Sequence, residues 1–335
     1  MRLGGSVTPQ SGLDTGRRFM LTGYLPIYAA VLFVLALVGA GARAWHAPAD
    51  GGMSLDHAWQ AAGGLTAVRI GAIVVGVTFV ALLLQPLQGV MVAAVEGNWP
   101  TWLGGSRLHA RQLRCRNRLE AAAQVPAAAV VGAAEIRQAG LAATELRRRF
   151  PQPTHVLRAT ALGNALAAAE DRAGRVYGLD TVAAWPRLYP VLGERMLAIV
   201  DDHRDRLDAS ARLSVTMAAT AAVSVVVLCR TEWWTLVALL PLAVAVAAYQ
   251  GAVQQALAYG DALYVAFDLH RFDMYDALAV PRPRTWADEQ ALNEQLSMLW
   301  RQGLPLAPTF GFAEPSSVPI PATPPTTPPN TGQNP

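Results

Sequence analysis

Four long apolar segments constrain the fold of this chain more than any other feature of its sequence. A helix needs roughly 17 to 25 mostly apolar residues to cross the hydrocarbon core of a bilayer. Segments of at least this length lie at 21–42, 65–95, 213–229 and 233–249, and the second of them comprises a span and its inner extension. Only 15% of the residues are charged, against roughly 25% in soluble domains. We therefore expect an all-α membrane protein with four transmembrane helices arranged as two hairpins, the second closed by an outer turn at 230–232.

Arginine positions predict the orientation of these helices. Five arginines follow the second segment without an intervening acidic residue: Arg107, Arg111, Arg114, Arg116 and Arg118. The loop 43–64, in contrast, carries one arginine and two aspartates. Because arginine and lysine accumulate in cytosolic loops, we place residues 1–20, 96–212 and 250–302 in the cytosol and the loop 43–64 outside it. Both termini are then cytosolic.

The first apolar segment has a second interpretation, as a cleaved secretory signal peptide. Residues Ala42, Arg43 and Ala44 form a small-x-small pattern of the kind that signal peptidase recognises. The apolar segment is longer than an ordinary signal core, and the topology of the other helices is the same in either case. The sequence leaves both interpretations open.

The cytosolic segments have helical patterns. Strand-like alternation is nearly absent from 96–212, so we expect a helical domain inserted between the second and third spans. Amphipathic helices are expected over 250–302, where Thr285 and Asp288 have the spacing of a capping box. Residues 303–335 contain ten prolines and one charged residue, which predicts a disordered proline-rich tail.

The composition excludes several classes of activity. All 27 basic residues are arginine, so a Walker-type phosphate loop and Schiff-base chemistry lack their lysine; the same bias indicates a GC-rich bacterial genome. Cys115 and Cys229 are expected on opposite sides of the membrane and cannot pair with each other. There is no HExxH, GxGxxG or GxSxG motif. We expect no metal, no cofactor and no catalytic residue.

The richest set of polar and aromatic residues lies between positions 170 and 187. It consists of Glu170, Tyr177, Asp180, Trp185 and Arg187. Because guanidinium groups bind phosphate and carboxylate in a bidentate manner, this set is a candidate anionic-ligand site. The alternative, which we favour, is a turn in which Asp180 caps the following helix and the aromatic residues anchor the domain.

A stripe of small hydroxyl residues runs along the third span. Thr216, Thr220 and Ser224 are spaced i, i+4, i+8, so they share one helical face. In a bilayer such a stripe either packs against another helix or lines a wet path. We favour packing, because no acidic residue lies deep in any span and coupled pumping usually requires one.

Three further patterns have competing interpretations. Asp201, Asp205 and Asp208 share a helical face that could hold Mg²⁺ or Ca²⁺, but interleaved arginines favour an ion-paired helix. His270 and Asp273 have a favourable i, i+3 spacing, for which helix packing is a better explanation than acid–base chemistry. The arginine cluster 107–118 is expected to contact anionic lipid headgroups because it directly follows a span. Nucleic-acid binding is the less favoured alternative for that cluster.

Four sequence strings resemble a known group of proteins. They are residues 159–192, LLLQPLQ at 82–88, EGNW at 96–99, and residues 259–278. Together they resemble an uncharacterised family of four-span membrane proteins from actinobacteria and related high-GC bacteria. The resemblance covers roughly residues 65–280. It implies a shared architecture and supplies no activity and no catalytic residue.

These observations favour a non-enzymatic protein of the bacterial cytoplasmic membrane that acts as an oligomeric scaffold or interaction component. Two hairpins of this size enclose little by themselves, so we expect a homo-oligomer, with a protein partner for the proline-rich tail 303–335. The alternative is an oligomeric pore or channel gated by the cytosolic domain. A third hypothesis is an enzyme that acts on lipid or an anionic metabolite at the inner face.

Overall fold

The computed structural model describes residues 25–42, 53–84, 88–97, 105–125, 132–306 and 311–312, and these residues form helices without any β-strand. The all-α prediction is therefore confirmed for this part of the chain. The α-helices are, in chain order, α1 (Leu25–Gly39), α2 (Leu55–Gly63), α3 (Ala67–Leu84), α4 (Gln88–Glu96), α5 (Gly105–Ala123), α6 (Ala133–Arg149), α7 (Ala161–Arg175), α8 (Thr181–Leu188), α9 (Glu194–Val227), α10 (Leu239–Ala277) and α11 (Trp286–Gln302). Short 3₁₀ helices cover Thr154–Val156, Tyr189–Val191 and Glu232–Ala238.

The helices α9 and α10 form a long hairpin at the centre of the fold. They contain 34 and 39 residues, which corresponds to lengths of about 50 and 60 Å. By length and composition, α9 includes an apolar stretch that can cross a membrane, and so does α10 taken together with the 3₁₀ helix that precedes it. We call 213–227 with 239–249 the apolar half of this hairpin, and 194–212 with 250–277 its polar half. Both helices run without a break from one half into the other, so the predicted boundary at 249–250 lies inside α10.

Small buried residues let α9 and α10 approach each other closely. Ala211, Ala252 and Ala256 are fully buried near the middle of the hairpin. The hydroxyl of Ser214 donates a hydrogen bond of 2.9 Å to the carbonyl oxygen of Ala245 on the facing helix. Such small side chains at a helix interface are typical of membrane bundles, where close backbone contact replaces the hydrophobic driving force.

The apolar helix α1 lies against the apolar half. Ala30 packs against Met217 and Ala245, and Leu37 packs against Leu228 near the end of α9. Because successive residues of α1 meet successive residues of α9, the two helices run in the same direction. The helix α1 is 15 residues long, shorter than the predicted span 21–42. Of that span, residues 21–24 lie outside the described part of the chain, and residues 40–42 follow the end of the helix.

A short helix precedes the second apolar segment. The predicted loop 43–64 contains the helix α2, which Ser54 caps by accepting a hydrogen bond from the backbone N–H of His57 at 3.2 Å. The axes of α2 and α3 differ by 107°, so the pair forms a broken apolar unit. The helix α3 contacts α1, where the hydroxyls of Tyr28 and Thr78 are hydrogen-bonded. By length and composition, two helices can cross a membrane, and the α2–α3 pair brings the number to three.

The helices α7, α8 and α11 pack around the polar half and form the main hydrophobic core with it. The helices α7 and α10 approach each other closely, since a Cβ atom added at Gly260 would lie 2.8 Å from the Cβ of Ala169. The predicted capping box of α11 is confirmed, since the side chain of Thr285 accepts from Asp288 N and that of Asp288 accepts from Thr285 N. The fully buried side chains of this core include Leu188, Ala266, Phe267 and Tyr275. We call the polar half of the hairpin together with α7, α8 and α11 the polar core of the protein, although its interior is hydrophobic.

Candidate functional site

The five residues of the candidate anionic-ligand site do not converge on one point. Tyr177, Asp180, Trp185 and Arg187 lie around the turn between α7 and α8, where they contact α10 and α11. Glu170 lies two turns earlier on α7 and forms its ion pair with Arg158. The structure therefore separates the carboxylate of Glu170 from the aromatic and guanidinium groups of the set.

Asp180 and Arg187 are engaged by their own helix and by α11. Asp180 caps α8, since its carboxylate accepts a hydrogen bond of 3.0 Å from the backbone N–H of Ala183. The same carboxylate forms an ion pair with Arg301. The guanidinium of Arg187 donates to the carbonyl oxygen of Ala183 at 2.8 Å and lies 4.5 Å from the ring centroid of Trp300. The capping role predicted as the alternative is confirmed for Asp180.

The aromatic members of the set join α7 and α8 to α10. Trp185 packs against Phe267, with ring centroids 6.3 Å apart. Tyr177 donates a hydrogen bond to Asp268. The guanidinium of Arg271 lies 4.3 Å from the ring centroid of Tyr177. Burial, with a further contribution from the hydrogen bond to Asp268, raises the pKa of the Tyr177 hydroxyl. These contacts hold helices together and use the polar groups that a ligand would need.

A buried polar network lies next to this turn, and the sequence analysis missed it. Asn293 on α11 is fully buried; its amide nitrogen donates to the carbonyl oxygen of Tyr177 at 2.7 Å, and its amide oxygen accepts from the hydroxyl of Tyr275 at 2.8 Å. Arg271 donates to Glu289 at 2.8 Å, and this ion pair is largely buried. Arg271 and Tyr275 have i, i+4 spacing, and so do Glu289 and Asn293. Each pair therefore forms a polar face on its helix, and these two faces were the signal in the sequence that could have predicted the network.

A second polar cluster fixes α4 to α7. The guanidinium of Arg158 lies 3.6 Å from the carboxylate of Glu96 and 3.5 Å from that of Glu170. Burial raises the pKa of Glu170 above its ordinary value, and the charge of Arg158 opposes this shift. The backbone of Arg158 is itself held by the buried side chain of Asn164, which accepts from its N–H at 2.7 Å and donates to its carbonyl at 3.0 Å.

Two glycines make the contact between α4 and α7 possible. Gly97 ends α4 with a φ of +83°, a conformation that favours glycine, and lies directly against Thr160. At Gly163, an added Cβ would lie 1.9 Å from the carbonyl oxygen of Glu96. Residues 96–97 and 159–164 belong to two of the strings that carry the family resemblance. The structure brings these two strings into direct contact.

The end of the apolar half also meets α7 at this junction. The hydroxyl of Tyr249 on α10 accepts hydrogen bonds from the backbone N–H groups of Ala161 and Leu162, at 3.1 and 3.3 Å. The side chain of Thr160 accepts from Gly163 N at 3.1 Å. The first N–H groups of a helix lack partners within it, so these contacts satisfy the start of α7. The polar core is thereby joined to the apolar half by hydrogen bonds as well as by packing.

The hydroxyl stripe of α9 lies inside the helix bundle. Thr220 and Ser224 are buried, and Thr216 is half-buried. The hydroxyls of Thr220 and Ser224 each donate a hydrogen bond of 2.7 Å to the carbonyl four residues earlier on their own helix. The neighbouring residues Met217 and Ala221 are also buried. Within this chain Thr220 and Ser224 are therefore packed, and their hydroxyls are satisfied by hydrogen bonds.

Two acidic residues of α9, Asp202 and Asp208, are paired with arginines, and Asp201 accepts a hydrogen bond from the hydroxyl of Tyr189. Arg204 lies 3.5 Å from Asp208, and Arg206 lies 2.9 Å from Asp202. Burial raises the pKa of Asp205, and the charges of neighbouring carboxylates add to this effect. Among the residues that the structure describes, no group of three or more histidine, cysteine, aspartate and glutamate side chains is arranged to hold a metal ion.

The arginine cluster lies on α5, which packs mainly against α6 at the edge of the fold. Four of the five arginines are exposed: Arg107, Arg111, Arg114 and Arg118. The fifth, Arg116, is half-buried and donates to the carbonyl oxygen of Gln152 at 3.2 Å. The cluster predicted from the sequence is thus divided into an exposed set of four and one arginine that faces the protein.

Three comparisons with known proteins found no match for this chain, whether among family models, curated proteins or solved structures. The resemblance to a family of four-span membrane proteins therefore stays a prediction.

Proposed function

We propose that this protein is a non-enzymatic scaffold of the bacterial cytoplasmic membrane, which holds a helical platform at the inner membrane surface for a protein partner. The observation that carries the proposal is the continuity of α9 and α10 from the apolar half into the polar core. Helices that run unbroken through both regions fix the orientation of the platform relative to the bilayer. Such fixed orientation is what a membrane scaffold requires.

The proposal includes a four-span topology. In this arrangement α1 and α3 are the first two spans, α2 lies at the outer surface, and the apolar half supplies the last two spans. The parallel course of α1 and α9 supports it, because both helices then run outward. The exposed apolar residues along α3, such as Val75 and Phe79, are those expected of a lipid-facing helix. Residues 105–212 and 250–302 then lie in the cytosol.

The side chains that would serve an enzyme have structural contacts instead. The guanidinium of Arg187 stacks on Trp300, the carboxylate of Asp180 caps α8, and the hydroxyl of Tyr177 binds Asp268. A ligand at this turn would have to displace several of these contacts at once. We therefore favour a platform held rigid by its polar groups over a site that binds an anionic metabolite.

The pore hypothesis receives less support from the geometry of α9. A hydroxyl that lines a wet path is available to water or to a permeant ion. The hydroxyls of Thr220 and Ser224 are instead buried and bonded to backbone carbonyls. We therefore propose that the stripe packs helices together.

Quantitative co-purification tests the scaffold proposal. Full-length protein, a variant lacking residues 303–335, Thr220→Leu and Arg187→Ala would each be crosslinked in native membranes, purified in detergent and examined by mass spectrometry. We expect a defined set of partner proteins that is lost with the tail and retained by both point variants. The mass of each purified assembly is expected to exceed that of one chain, since we propose a homo-oligomer.

The same four proteins would be reconstituted in liposomes and tested for ion flux. The scaffold proposal predicts tight vesicles for all of them. Protein-dependent flux that Thr220→Leu abolishes would favour the pore and contradict the proposal. An identical set of co-purified proteins with and without the tail would also contradict it.

A further inference from the structure

The helix α5 has one strongly basic face. Arg107, Arg111, Arg114 and Arg118 are spaced i, i+4, i+7 and i+11, so they lie along a single line on the helix surface. The line is about 16 Å long. All four side chains are exposed, and none forms an ion pair with an acidic side chain among residues 25–42, 53–84, 88–97, 105–125, 132–306 and 311–312. We call these four residues the arginine face.

The opposite side of α5 faces the protein. Leu113 and Leu119 are half-buried on that side, where α5 packs against α6. Arg116 lies about half a turn away from the arginine face and donates to the carbonyl oxygen of Gln152. The arginine face is therefore directed away from α6, in an orientation that the packing of α5 fixes.

We propose that the arginine face binds the anionic lipid headgroups of the cytoplasmic leaflet and holds the α5–α6 hairpin against the membrane surface. Arginine near an anionic leaflet is attracted to it, and the attraction adds over neighbouring charges. The face carries basic groups and small side chains without a large apolar residue, so it suits the headgroup region rather than the hydrocarbon. This proposal rests on the cytosolic placement of α5 proposed above.

The chain connection places α5 within reach of the inner membrane surface. Gly97 lies against Thr160 at the junction that Tyr249 forms with α7, where the apolar half ends. Gly105 follows eight residues later, so the start of α5 is at most about 29 Å from that junction. The hairpin is thus tethered close to the headgroups and needs little additional attraction to dock.

A nucleic acid is a poorer match for the same surface. Proteins that bind single-stranded nucleic acid combine basic groups with aromatic side chains on which bases stack. The helix α5 contains no phenylalanine, tyrosine or tryptophan. We therefore assign the face to lipid, and nucleic-acid binding becomes an outcome that the experiment can detect.

The experiment uses the full chain in lipid nanodiscs, which expose both membrane surfaces, so the result does not depend on which side of the cell membrane α5 occupies. A fluorophore is attached to the exposed Cys115 in a Cys229→Ser background, and its quenching by headgroup-labelled lipid is measured. Four arginines change the ratio of docked to undocked hairpin on the order of several hundred-fold. We expect strong quenching with anionic lipid, weak quenching with zwitterionic lipid alone, and loss of the difference at high salt.

Three variants show whether the arginine face is responsible. Replacing all four arginines by glutamine is expected to abolish the effect of anionic lipid, whereas replacing all four by lysine retains it. The control variant replaces Arg137 and Arg147, two exposed arginines of α6, by glutamine. Its quenching by anionic lipid is expected to equal that of the unaltered protein. Circular dichroism of each variant in nanodiscs verifies its helical content.

Two results would overturn the proposal. The first is equal quenching in anionic and zwitterionic nanodiscs, or an effect of anionic lipid that survives the four glutamine substitutions. The second is binding of fluorescent RNA to protein in zwitterionic nanodiscs that requires the four arginines, without any response to anionic lipid. The second result would reassign the face to nucleic acid and would leave the scaffold proposal to its own test.

Discussion

Replacing Gly163 by alanine tests whether α4 lies directly against α7. A Cβ atom at this position would lie 1.9 Å from the carbonyl oxygen of Glu96 and 2.9 Å from Cδ of Arg158. The arginine side chain can rotate away from the new methyl group. The carbonyl oxygen is part of the backbone, so α4 itself must move until the separation reaches ordinary contact at about 3.4 Å.

The expected destabilisation follows from this geometry. Forcing a methyl group into a closely packed site usually costs about 1–3 kcal/mol. Movement of α4 also lengthens the ion pair between Arg158 and Glu96, now at 3.6 Å, and disturbs the contact of Gly97 with Thr160. Against this, alanine is favoured over glycine in a helix by about 1 kcal/mol. We expect Gly163→Ala to lower the free energy of unfolding by about 2 kcal/mol.

A second glycine provides a matched control. Gly140 lies in α6, and an added Cβ there would meet no heavy atom within 4 Å. Gly140→Ala is therefore expected to raise the free energy of unfolding by about 0.5–1 kcal/mol. Denaturant unfolding of the full chain in detergent, followed by circular dichroism and tryptophan fluorescence, would compare the two variants. Equal stability of Gly163→Ala and Gly140→Ala would refute the close contact.

Three further predictions use the same assay. Asn293→Ala leaves the carbonyl of Tyr177 and the hydroxyl of Tyr275 without their amide partner, so we expect a loss of about 2–4 kcal/mol; a change under about 0.5 kcal/mol would mean that this network adds little. Because burial raises the pKa of Glu170 above 4.5, its contribution to stability is present below pH 4.5 and is lost as the pH rises through the raised pKa. The difference in stability between the unaltered protein and Glu170→Gln should therefore fall with rising pH, and a constant difference would contradict the shift. Tyr249→Phe removes the acceptor for two N–H groups of α7, with an expected loss of about 1–2 kcal/mol; unchanged stability would show that water replaces it.

Much of the helical architecture could be predicted because it depends on local patterns. The apolar stretches of α9 and α10, the capping box at Thr285 and Asp288, and the capping role of Asp180 involve residues close in sequence. The i, i+3 contact of His270 with Asp273, at 2.8 Å, is of the same kind. Spacing alone determines which side chains meet when the partners are one helical turn apart.

The parts that were missed depend on contacts between distant segments. Asn293 donates to the carbonyl of Tyr177, which is 116 positions away in the sequence. Neither an asparagine nor a tyrosine indicates from the sequence alone which distant residue it will contact. Glu170 was grouped with Arg187 because the two are near in sequence, but its ion pair is with Arg158. The helix α2 was missed because its nine residues are too few and too mixed for an apolar-length criterion. The exposure of individual arginines on α5 likewise requires knowledge of where α6 packs.

Cysteine labelling is the most direct test of the four-span topology with the polar core in the cytosol. The proposed topology puts Cys229 at the outer end of the third span and Cys115 in the cytosol, and both residues are exposed. Single-cysteine variants, Cys115→Ser and Cys229→Ser, would be treated with a membrane-impermeant maleimide in spheroplasts before and after permeabilisation. We predict that Cys229 is labelled before permeabilisation and Cys115 only afterwards. Labelling of Cys115 in intact spheroplasts, or of Cys229 only after permeabilisation, would contradict the topology.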